Sequence, residues 1–313
     1  MNNIKTIFSI KDLENLTGIK AHTIRIWEKR YELLEPERTD TNIRFYNLSH
    51  LQKLLNISFL NNNGLKISKI ASLENVEIHQ QVRDLAGKVN VKNHAINTLK
   101  LAMLDFDQEL FHETYHGLIK NQSFRDLFYE VFIPFLAEIG MLWQTDTITP
   151  AHEHFITSLI KQKILVNTEI LQATNKITHK NAYVLFLPDN EIHELGLMFI
   201  NYELNAKGQR SIFLGSSVPI MSLTDVLAYY DNVIFISYFT VKPLKDDLAN
   251  YLEEFNAQLL KDKNHEFWIL GQMTQYIDTK TLPNSIKTFK TIDSLIATVS
   301  DSSSPKMKLP IIR

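Results

Sequence analysis

The 313-residue sequence contains no cysteine, which excludes disulfide bonds, thiolate metal sites and cysteine nucleophiles. Long apolar runs are also missing: stretches such as Tyr183–Pro188 are far too short to span a membrane as a helix. The first residues carry charges where a signal peptide would have its apolar stretch, and low-complexity tracts are absent. These absences predict a cytoplasmic protein with no membrane partner. A hydrophobic content of 44% is enough to fill the cores of two or three domains.

The charge is unevenly distributed along the chain. The net charge is -2, but residues 1–73 contain 11 Lys and Arg against 7 Asp and Glu. That segment therefore has a net charge of +4, and the rest of the chain has a net charge of -6. A modest positive charge at one end permits contact with nucleic acid without proving it.

Residues 1–75 are expected to form short helices broken by polar turns. Ser9 can cap a helix that begins at Ile10, and Gly18 can supply the left-handed turn that ends it. A second helix from Ala21 to Lys29 would bury Ile24 and Trp27. Two short helices joined by a glycine-containing turn predict a helix-turn-helix. The second helix offers a polar outer face made of Lys20, His22, Thr23, Arg25 and Arg30.

The segment after this helix pair predicts a wing. Arg38–Tyr46 has the pattern of a small hairpin with residues 40–42 at its tip, and Arg38, Arg44 and Tyr46 suit phosphate contacts. Helices over Ser49–Leu60 and Ile67–Leu73, with a turn at Gly64, complete the module. The alternative is that the helix pair is only a packing unit and that its cations are a solvated face.

The rest of the chain divides by its apolar periodicity. Residues 76–175 show only helical spacing and predict a central four-helix bundle, as in Phe124, Leu127, Phe128, Val131 and Phe132, and again in Ile156, Leu159, Ile160 and Ile164. Residues 176–300 alternate short apolar strands with helices such as His193–Ala206 and Leu244–Leu260, and residues 301–313 form a tail. The predicted strands are Ala182–Leu187, Ser211–Leu214, Val233–Phe239, Phe267–Leu270 and Ile286–Phe289. The predicted fold is therefore multidomain, α followed by α/β, ending in a doubly wound parallel (flavodoxin-like) sheet that binds ligands beyond the carboxyl ends of its strands.

The N-terminal module resembles the MerR family of transcriptional regulators. The resemblance is carried, in order, by Thr23-Ile24-Arg25, Trp27-Glu28, Arg30-Tyr31, Leu34, Pro36, Arg38 and Arg44-Phe45-Tyr46. It implies a dimer on a pseudo-palindromic promoter, with His22, Thr23 and Arg25 facing the groove. It also implies that the DNA backbone is held by Arg30, Tyr31, Arg38, Arg44 and Tyr46. Heptads do not persist beyond Leu73, so the long dimerising coiled coil of many MerR proteins has no counterpart.

The remainder resembles the cobalamin-binding unit of light-responsive MerR repressors of the CarH type, which corrinoid methyltransferases share. Trp143 is followed after nine residues by Glu153-His154, and Glu191-Ile-His193-Glu-Leu-Gly196 approximates the Asp-x-His-x-x-Gly cobalamin motif. Ser237 and Gly271 stand where the family has the serine and first glycine of two further motifs. The resemblance implies that His193 is the lower axial cobalt ligand and that Glu191 fixes its tautomer.

The other residues of these motifs have implied roles as well. Gly196 would admit the nucleotide tail of cobalamin, and Ser237 would bond its displaced base. Trp143 would pack over the upper axial group, which is adenosyl or another ligand.

Two positions depart from this pattern. Gln144 stands where CarH-type photoreceptors have the histidine that binds cobalt after light removes the adenosyl group. His152 and His154 are the candidates to take over the role of that histidine. Gln272 replaces the second glycine near the nucleotide tail. The leading interpretation is a non-enzymatic regulator that senses a corrinoid and changes its oligomeric state, as a dimer or tetramer. The alternatives are a cobalamin-independent MerR regulator and a corrinoid-carrying methyltransferase-like subunit.

His112-Glu113-Thr-Tyr-His116 matches the zincin pattern His-Glu-x-x-His. The match is short, and no third ligand follows at metzincin spacing, although Glu130 or Glu138 is conceivable as one. A zinc enzyme is therefore the weakest of the interpretations.

Overall fold

A computed structural model describes residues 7–86, 91–174, 181–261 and 264–299. The chain divides into two compact units, Met1–Ile160 and Lys161–Arg313. The expected tail at 301–313 lies outside the described residues.

The first unit begins with the predicted helix-turn-helix, formed by α1 (Ile10–Thr17) and α2 (Ala21–Tyr31). Ser9 and Asp12 cap α1 reciprocally, and each side chain binds the other residue's backbone N–H. Gly18 ends α1 with a φ of 74°, a left-handed conformation in which glycine has no steric penalty. Local sequence chemistry therefore explains both ends of this helix.

A two-stranded wing follows, made of β1 (Glu37–Arg38) and β2 (Arg44–Phe45) in antiparallel pairing. An isolated antiparallel bridge joins Phe8, which precedes α1, to Tyr46, which follows β2. The chain continues into α3 (Leu48–Asn62) and α4 (Ile67–Ala71), with Gly64 at a φ of 95° between them. The winged helix-turn-helix is confirmed.

Six further helices form the described part of the helical region. They are α5 (Asn75–Ala86), α6 (Val91–Leu104), α7 (Gln108–Ile119), α8 (Phe124–Leu127), α9 (Ile133–Gln144) and α10 (Pro150–Thr174). A π-helical turn, Phe128–Phe132, joins α8 to α9, so α6, α7, the α8–α9 segment and α10 are four successive helical stretches. The apolar side chains whose spacing predicted these helices are buried. Ile78 and Val82 of α5 instead share an apolar cluster with Ile57 and Phe59 of α3.

The second unit contains a five-stranded parallel sheet. Its strands are β3 (Ala182–Phe186), β4 (Arg210–Gly215), β5 (Val233–Tyr238), β6 (Glu266–Leu270) and β7 (Ile286–Thr288), in the spatial order β4-β3-β5-β6-β7. All five predicted strands are present, and the order is that of flavodoxin-like folds. The strand order reverses between β3 and β5, so the loops after these two strands flank the crevice where such folds bind ligands.

Helices cover both faces of this sheet. One face carries Val184 and Phe235. It is covered by α13 (Leu248–Phe255) with its π-helical extension Asn256–Leu260, and by a 3-10 turn with α12 (Thr224–Leu227). α11 (Leu195–Ala206) and α14 (Ile292–Ile296) pack together on the opposite face. In the described part of the chain, no helix combines the length and the apolar character needed to cross a membrane.

Candidate nucleic-acid interface and cofactor site

The second helix of the N-terminal module presents a polar face to solvent. Ile24 is fully buried and Trp27 is half-buried, whereas His22, Arg25 and Lys29 are on the open side. Lys20, which precedes the helix, is exposed and pairs with Glu14 at 3.2 Å. An inward apolar stripe and an outward basic face are the arrangement that a recognition helix needs.

The wing contributes basic side chains to the same surface. A cavity of about 530 Å³ lies between α2 and the wing. It is lined by Arg25, Glu28, Lys29, Glu32, Leu34, Glu35, Pro36, Arg38 and Arg44. Arg38 donates from Nη1 to the side-chain oxygen of Asn42 at 2.6 Å, which holds it at the turn of the hairpin. The structure thus brings Arg25, Arg38 and Arg44 together as expected and adds Lys29, a lysine that the motif comparison did not single out.

Tyr46 is a correction to the expected set of DNA contacts. It is fully buried, and its hydroxyl donates to Glu28 of α2 at 2.5 Å. A side chain with no exposed surface cannot reach a phosphate, so Tyr46 stabilises the interface from behind. Burial, together with the Glu28 carboxylate, raises the pKa of Tyr46 and keeps its hydroxyl protonated as a donor. Arg44 pairs with the other oxygen of Glu28 at 3.6 Å, so one carboxylate ties the wing to the recognition helix.

We expect Tyr46→Phe to lower the free energy of unfolding by about 1–2 kcal/mol, because the buried Glu28 carboxylate loses its donor. Urea denaturation measures the loss. Tyr229→Phe is the matched control, since Tyr229 is 81% exposed and should leave the unfolding midpoint unchanged. Equal midpoints for the two variants would contradict the role given to Tyr46.

Tyr31 is another residue expected to contact the DNA backbone. It is half-buried beside the apolar cluster of α3–α5. The guanidinium of Arg30 lies 5.3 Å from the centre of its ring. Arg30 is exposed, so the pair offers a cation supported by an aromatic face.

In the second unit, His193 and Glu191 form a hydrogen-bonded pair in the loop after β3. Nδ1 of His193 lies 2.6 Å from Oε1 of Glu191, and the imidazole is 46% exposed while the carboxylate is buried. An ionised carboxylate only accepts, so Nδ1 carries the hydrogen and Nε2 is the ring nitrogen suited to bind a metal. This is the orientation that a ligating histidine receives from a carboxylate partner.

Glu191 also joins the two loops that flank the crevice. Its Oε2 accepts from the backbone N–H groups of Val241 and Lys242, in the loop after β5, at 2.7 and 2.8 Å. Its Oε1 accepts from the N–H groups of Ile192 and His193 as well. Burial alone would raise the pKa of Glu191, but the bonds from the His193 ring and the loop N–H groups lower it to about 2. The carboxylate is therefore ionised and fully bonded at the point where the strand order reverses.

Gly196 and Ser237 lie close to this pair but differ from their expected surroundings. A Cβ on Gly196 would come within 2.8 Å of the Tyr238 ring, so the absent side chain makes room for Tyr238 in this structure. Ser237 is fully buried, and its hydroxyl donates to the carbonyl of Phe186 at 2.8 Å. The Ser237 hydroxyl is thus engaged within the sheet, and its bond to a displaced base stays a prediction.

Gly271, at the end of β6, is required by the backbone around it. Its φ is 103°, and a Cβ there would lie 2.3 Å from the carbonyl oxygen of Phe239. Gln272, which follows it, begins a 3-10 turn with an exposed side chain.

Exposed apolar side chains gather at the same edge of the sheet as His193. They project from the loops that follow β3, β4, β5 and β6, and they include Ile192, Met221, Val241, Leu244 and Tyr276. A large flat macrocycle with a central metal fits an exposed imidazole that has apolar loops around it. The residues present in this unit therefore fit a corrinoid held through its cobalt.

The helical region carries the remaining cofactor motif around the turn between α9 and α10. Trp143 is 53% exposed, so it is not an ordinary core tryptophan, and His154 is exposed as well. Glu153 is half-buried in the first turn of α10. His152 is buried, and its Nδ1 bonds to Thr149 at the start of α10. His152 thus caps a helix and does not serve as the exposed substitute ligand considered above.

The zincin-like pattern lies on α7. His112 and His116 are on the same side of the helix, with ring centres 6.3 Å apart. Among the described residues, no group of three His, Cys, Asp or Glu side chains is arranged to hold a metal ion.

Family models match the N-terminal module and the helical region. Residues 8–75 match the MerR HTH family regulatory protein model, and residues 95–166 match the B12 binding domain model. The chain therefore contains a helix-turn-helix domain of the MerR regulatory type and a B12-binding domain, a class of domain whose cofactor is cobalamin.

Its relatives include two repressors of Myxococcus xanthus. The HTH-type transcriptional repressor CarH is 26% identical over 247 residues, which cover 76% of this chain and 81% of CarH. The HTH-type transcriptional repressor CarA is 21% identical and covers 78% of this chain and 81% of CarA. The monomethylamine corrinoid protein of Methanosarcina barkeri has a similar fold, with a TM-score of 0.54 at 14% identity over 66% of this chain and 97% of that protein.

Proposed function

We propose that this protein binds promoter DNA as a homo-oligomer in the cytoplasm and that a corrinoid changes its DNA affinity by changing how protomers associate. The observation that carries the proposal is the Glu191–His193 pair at the point of strand-order reversal. Its support at the other end of the chain is the basic surface shared by α2 and the wing. Because the relatives are named as repressors, repression is the expected direction of control.

In this proposal His193 would hold a corrinoid through its cobalt, and Glu191 would keep the imidazole in the ligating tautomer. The corrinoid would supply an exchangeable ligand, which in the adenosyl form is sensitive to light. Trp143, Glu153 and His154 of the helical region contact the cofactor. DNA contacts are assigned to Lys20, His22, Thr23, Arg25, Arg30, Tyr31, Arg38 and Arg44, with Tyr46 acting from behind them.

The test begins with the full-length protein mixed with adenosylcobalamin in the dark and freed of excess cofactor. Its visible spectrum is recorded before and after illumination, and its mass is measured by sedimentation in both states. We expect a coloured protein whose spectrum changes in His193→Ala, because the lower ligand is lost. A bound corrinoid with a spectrum indifferent to His193→Ala would refute the ligand assignment.

A second candidate, a cobalamin-independent MerR regulator, is favoured by specific observations. Tyr238 packs on Gly196, Ser237 bonds within the sheet, and Gln144 stands in place of the upper histidine. In that case the loops around His193 would serve protein–protein contacts. A protein that stays colourless with adenosylcobalamin yet binds selected DNA would decide for this candidate.

The DNA half is tested separately, with duplexes selected from a random pool by the wild-type chain. Arg44→Ala should weaken binding to all duplexes similarly and flatten the plot of log K against log salt by about 0.9 per protomer. The reason is that the 41% exposed Arg44 side chain faces the cavity between α2 and the wing. Arg210→Ala, in the second unit, is the control that should leave the slope unchanged. An unaltered slope for Arg44→Ala would remove Arg44 from the phosphate contacts.

A further inference from the structure

The turn between α9 and α10 is bonded directly to the helix-turn-helix within the first unit. Asn15, in the last turn of α1, donates from Nδ2 to Oγ1 of Thr147 at 2.9 Å, across 132 residues of sequence. Thr147 is fully buried, and its hydroxyl also lies 2.9 Å from that of Thr145. A buried polar contact of this kind has one favourable arrangement, because breaking it leaves polar atoms without partners.

A second contact holds the same end of α1. Lys100 of α6 is 7% exposed, and its Nζ donates to the carbonyl of Leu16 at 3.2 Å. The same Nζ is paired with the carboxylate of Glu138, on α9. A cation at the carboxyl end of a helix is favourable because the unpaired carbonyls there carry partial negative charge. Lys100 therefore links α1 to both α6 and α9.

These contacts lie next to the cofactor motif in the sequence. The turn that contains Thr145 and Thr147 begins just after Trp143, which is 53% exposed, and ends just before Glu153 and His154. One short turn thus has the cofactor motif on both of its sides and a hydrogen bond to the DNA-binding module at its centre. A displacement of Trp143 would move the turn that Asn15 holds.

We propose that this turn couples the cofactor motif to the DNA-binding module, with Asn15, Lys100 and Thr147 as the coupling residues. The inference rests on the proposed function, since it requires that a corrinoid contacts the helical region. Cofactor occupancy shifts the turn, the shift changes how α1 is held, and DNA affinity changes as a result. Coupling is reciprocal, so bound DNA also changes the affinity for the cofactor by the same factor.

The test compares the ratio of DNA affinities with and without adenosylcobalamin in full-length variants. Thr147→Val keeps the volume of the side chain and removes the hydroxyl, and Asn15→Ala removes the partner. We expect each variant to reduce the wild-type ratio by roughly three- to tenfold, up to its complete loss. The double variant should add little to either single one. Thr114→Val is the matched control, because that hydroxyl donates only to Leu110 of its own helix, and the ratio should stay at its wild-type value.

The outcomes separate this inference from the proposed function. If the wild type binds adenosylcobalamin with no change in DNA affinity, sensing itself fails, and the coupling fails with it. If the wild-type ratio is large and persists in Thr147→Val and Asn15→Ala, the sensing stands and only the coupling is overturned. The visible spectrum of each variant should match the wild type, which shows that cofactor binding is intact.

Discussion

Gly271→Ala is expected to lower the free energy of unfolding of the second unit by roughly 2–6 kcal/mol. At a φ of 103° and ψ of 171°, only glycine is relaxed, and another residue is strained by about 1–3 kcal/mol. The added Cβ would also lie 2.3 Å from the oxygen and 2.7 Å from the nitrogen of Phe239. These are backbone atoms, so no side-chain rotation relieves the overlap, which adds about 1–3 kcal/mol.

Urea denaturation followed by circular dichroism measures this loss. Gly117→Ala is the control: Gly117 is inside α7, and a Cβ there meets nothing within 4 Å. It should stabilise the first unit by about 0.5–1 kcal/mol, because alanine favours a helix over glycine. If Gly271→Ala unfolded at the wild-type midpoint, the backbone of Phe239 would not lie against Gly271 as it does in this structure.

Glu191→Ala is expected to destabilise the second unit by about 3 kcal/mol and to disturb the cofactor site. The carboxylate accepts four backbone N–H groups and the His193 ring, and its removal leaves these donors unsatisfied. The loops after β3 and β5 lose the group that joins them. Nδ1 of His193 also loses the partner that holds the imidazole, so the spectrum of bound cobalamin should change.

Two other variants separate stability from ligation. His193→Ala should lower the free energy of unfolding by only about 1 kcal/mol, because the ring is 46% exposed. It should nevertheless alter the spectrum of bound cobalamin fully. Glu266→Gln changes a partly exposed carboxylate paired with Lys287, and it should alter the unfolding midpoint little. If Glu191→Ala behaved like Glu266→Gln in unfolding, the carboxylate would not join the two loops.

The expected DNA contacts show how far a motif can be followed without a structure. The helix pair was predictable because its signals are local: Ser9 caps α1, and Gly18 ends it. Tyr46 was misassigned because its burial depends on pairing with Phe8, a contact that the sequence between them does not indicate. Its motif position was correct, but its side chain points to Glu28.

In the cofactor site, too, some contacts are local in the sequence and others depend on the tertiary structure. The family resemblance implied that Glu191 holds His193, and their hydrogen bond joins residues two positions apart in one loop. The reach of Glu191 to Val241 and Lys242 was not predictable, because it depends on β3 and β5 being adjacent in the sheet. The same adjacency decides the bond of Ser237 to Phe186 and the packing of Tyr238 on Gly196.

The sequence by itself determined the elements of this protein: the winged helix pair, the helical region and the five strands, together with the motif residues on them. Their signals lie within one turn or one strand, where backbone preferences and apolar periodicity act over a few residues. Only the tertiary structure decided which side chains are buried and which loops meet, as at Tyr46, Gly271 and the Asn15–Thr147 contact. Such contacts join residues far apart in the chain, and they form because strand order and helix packing bring those residues together.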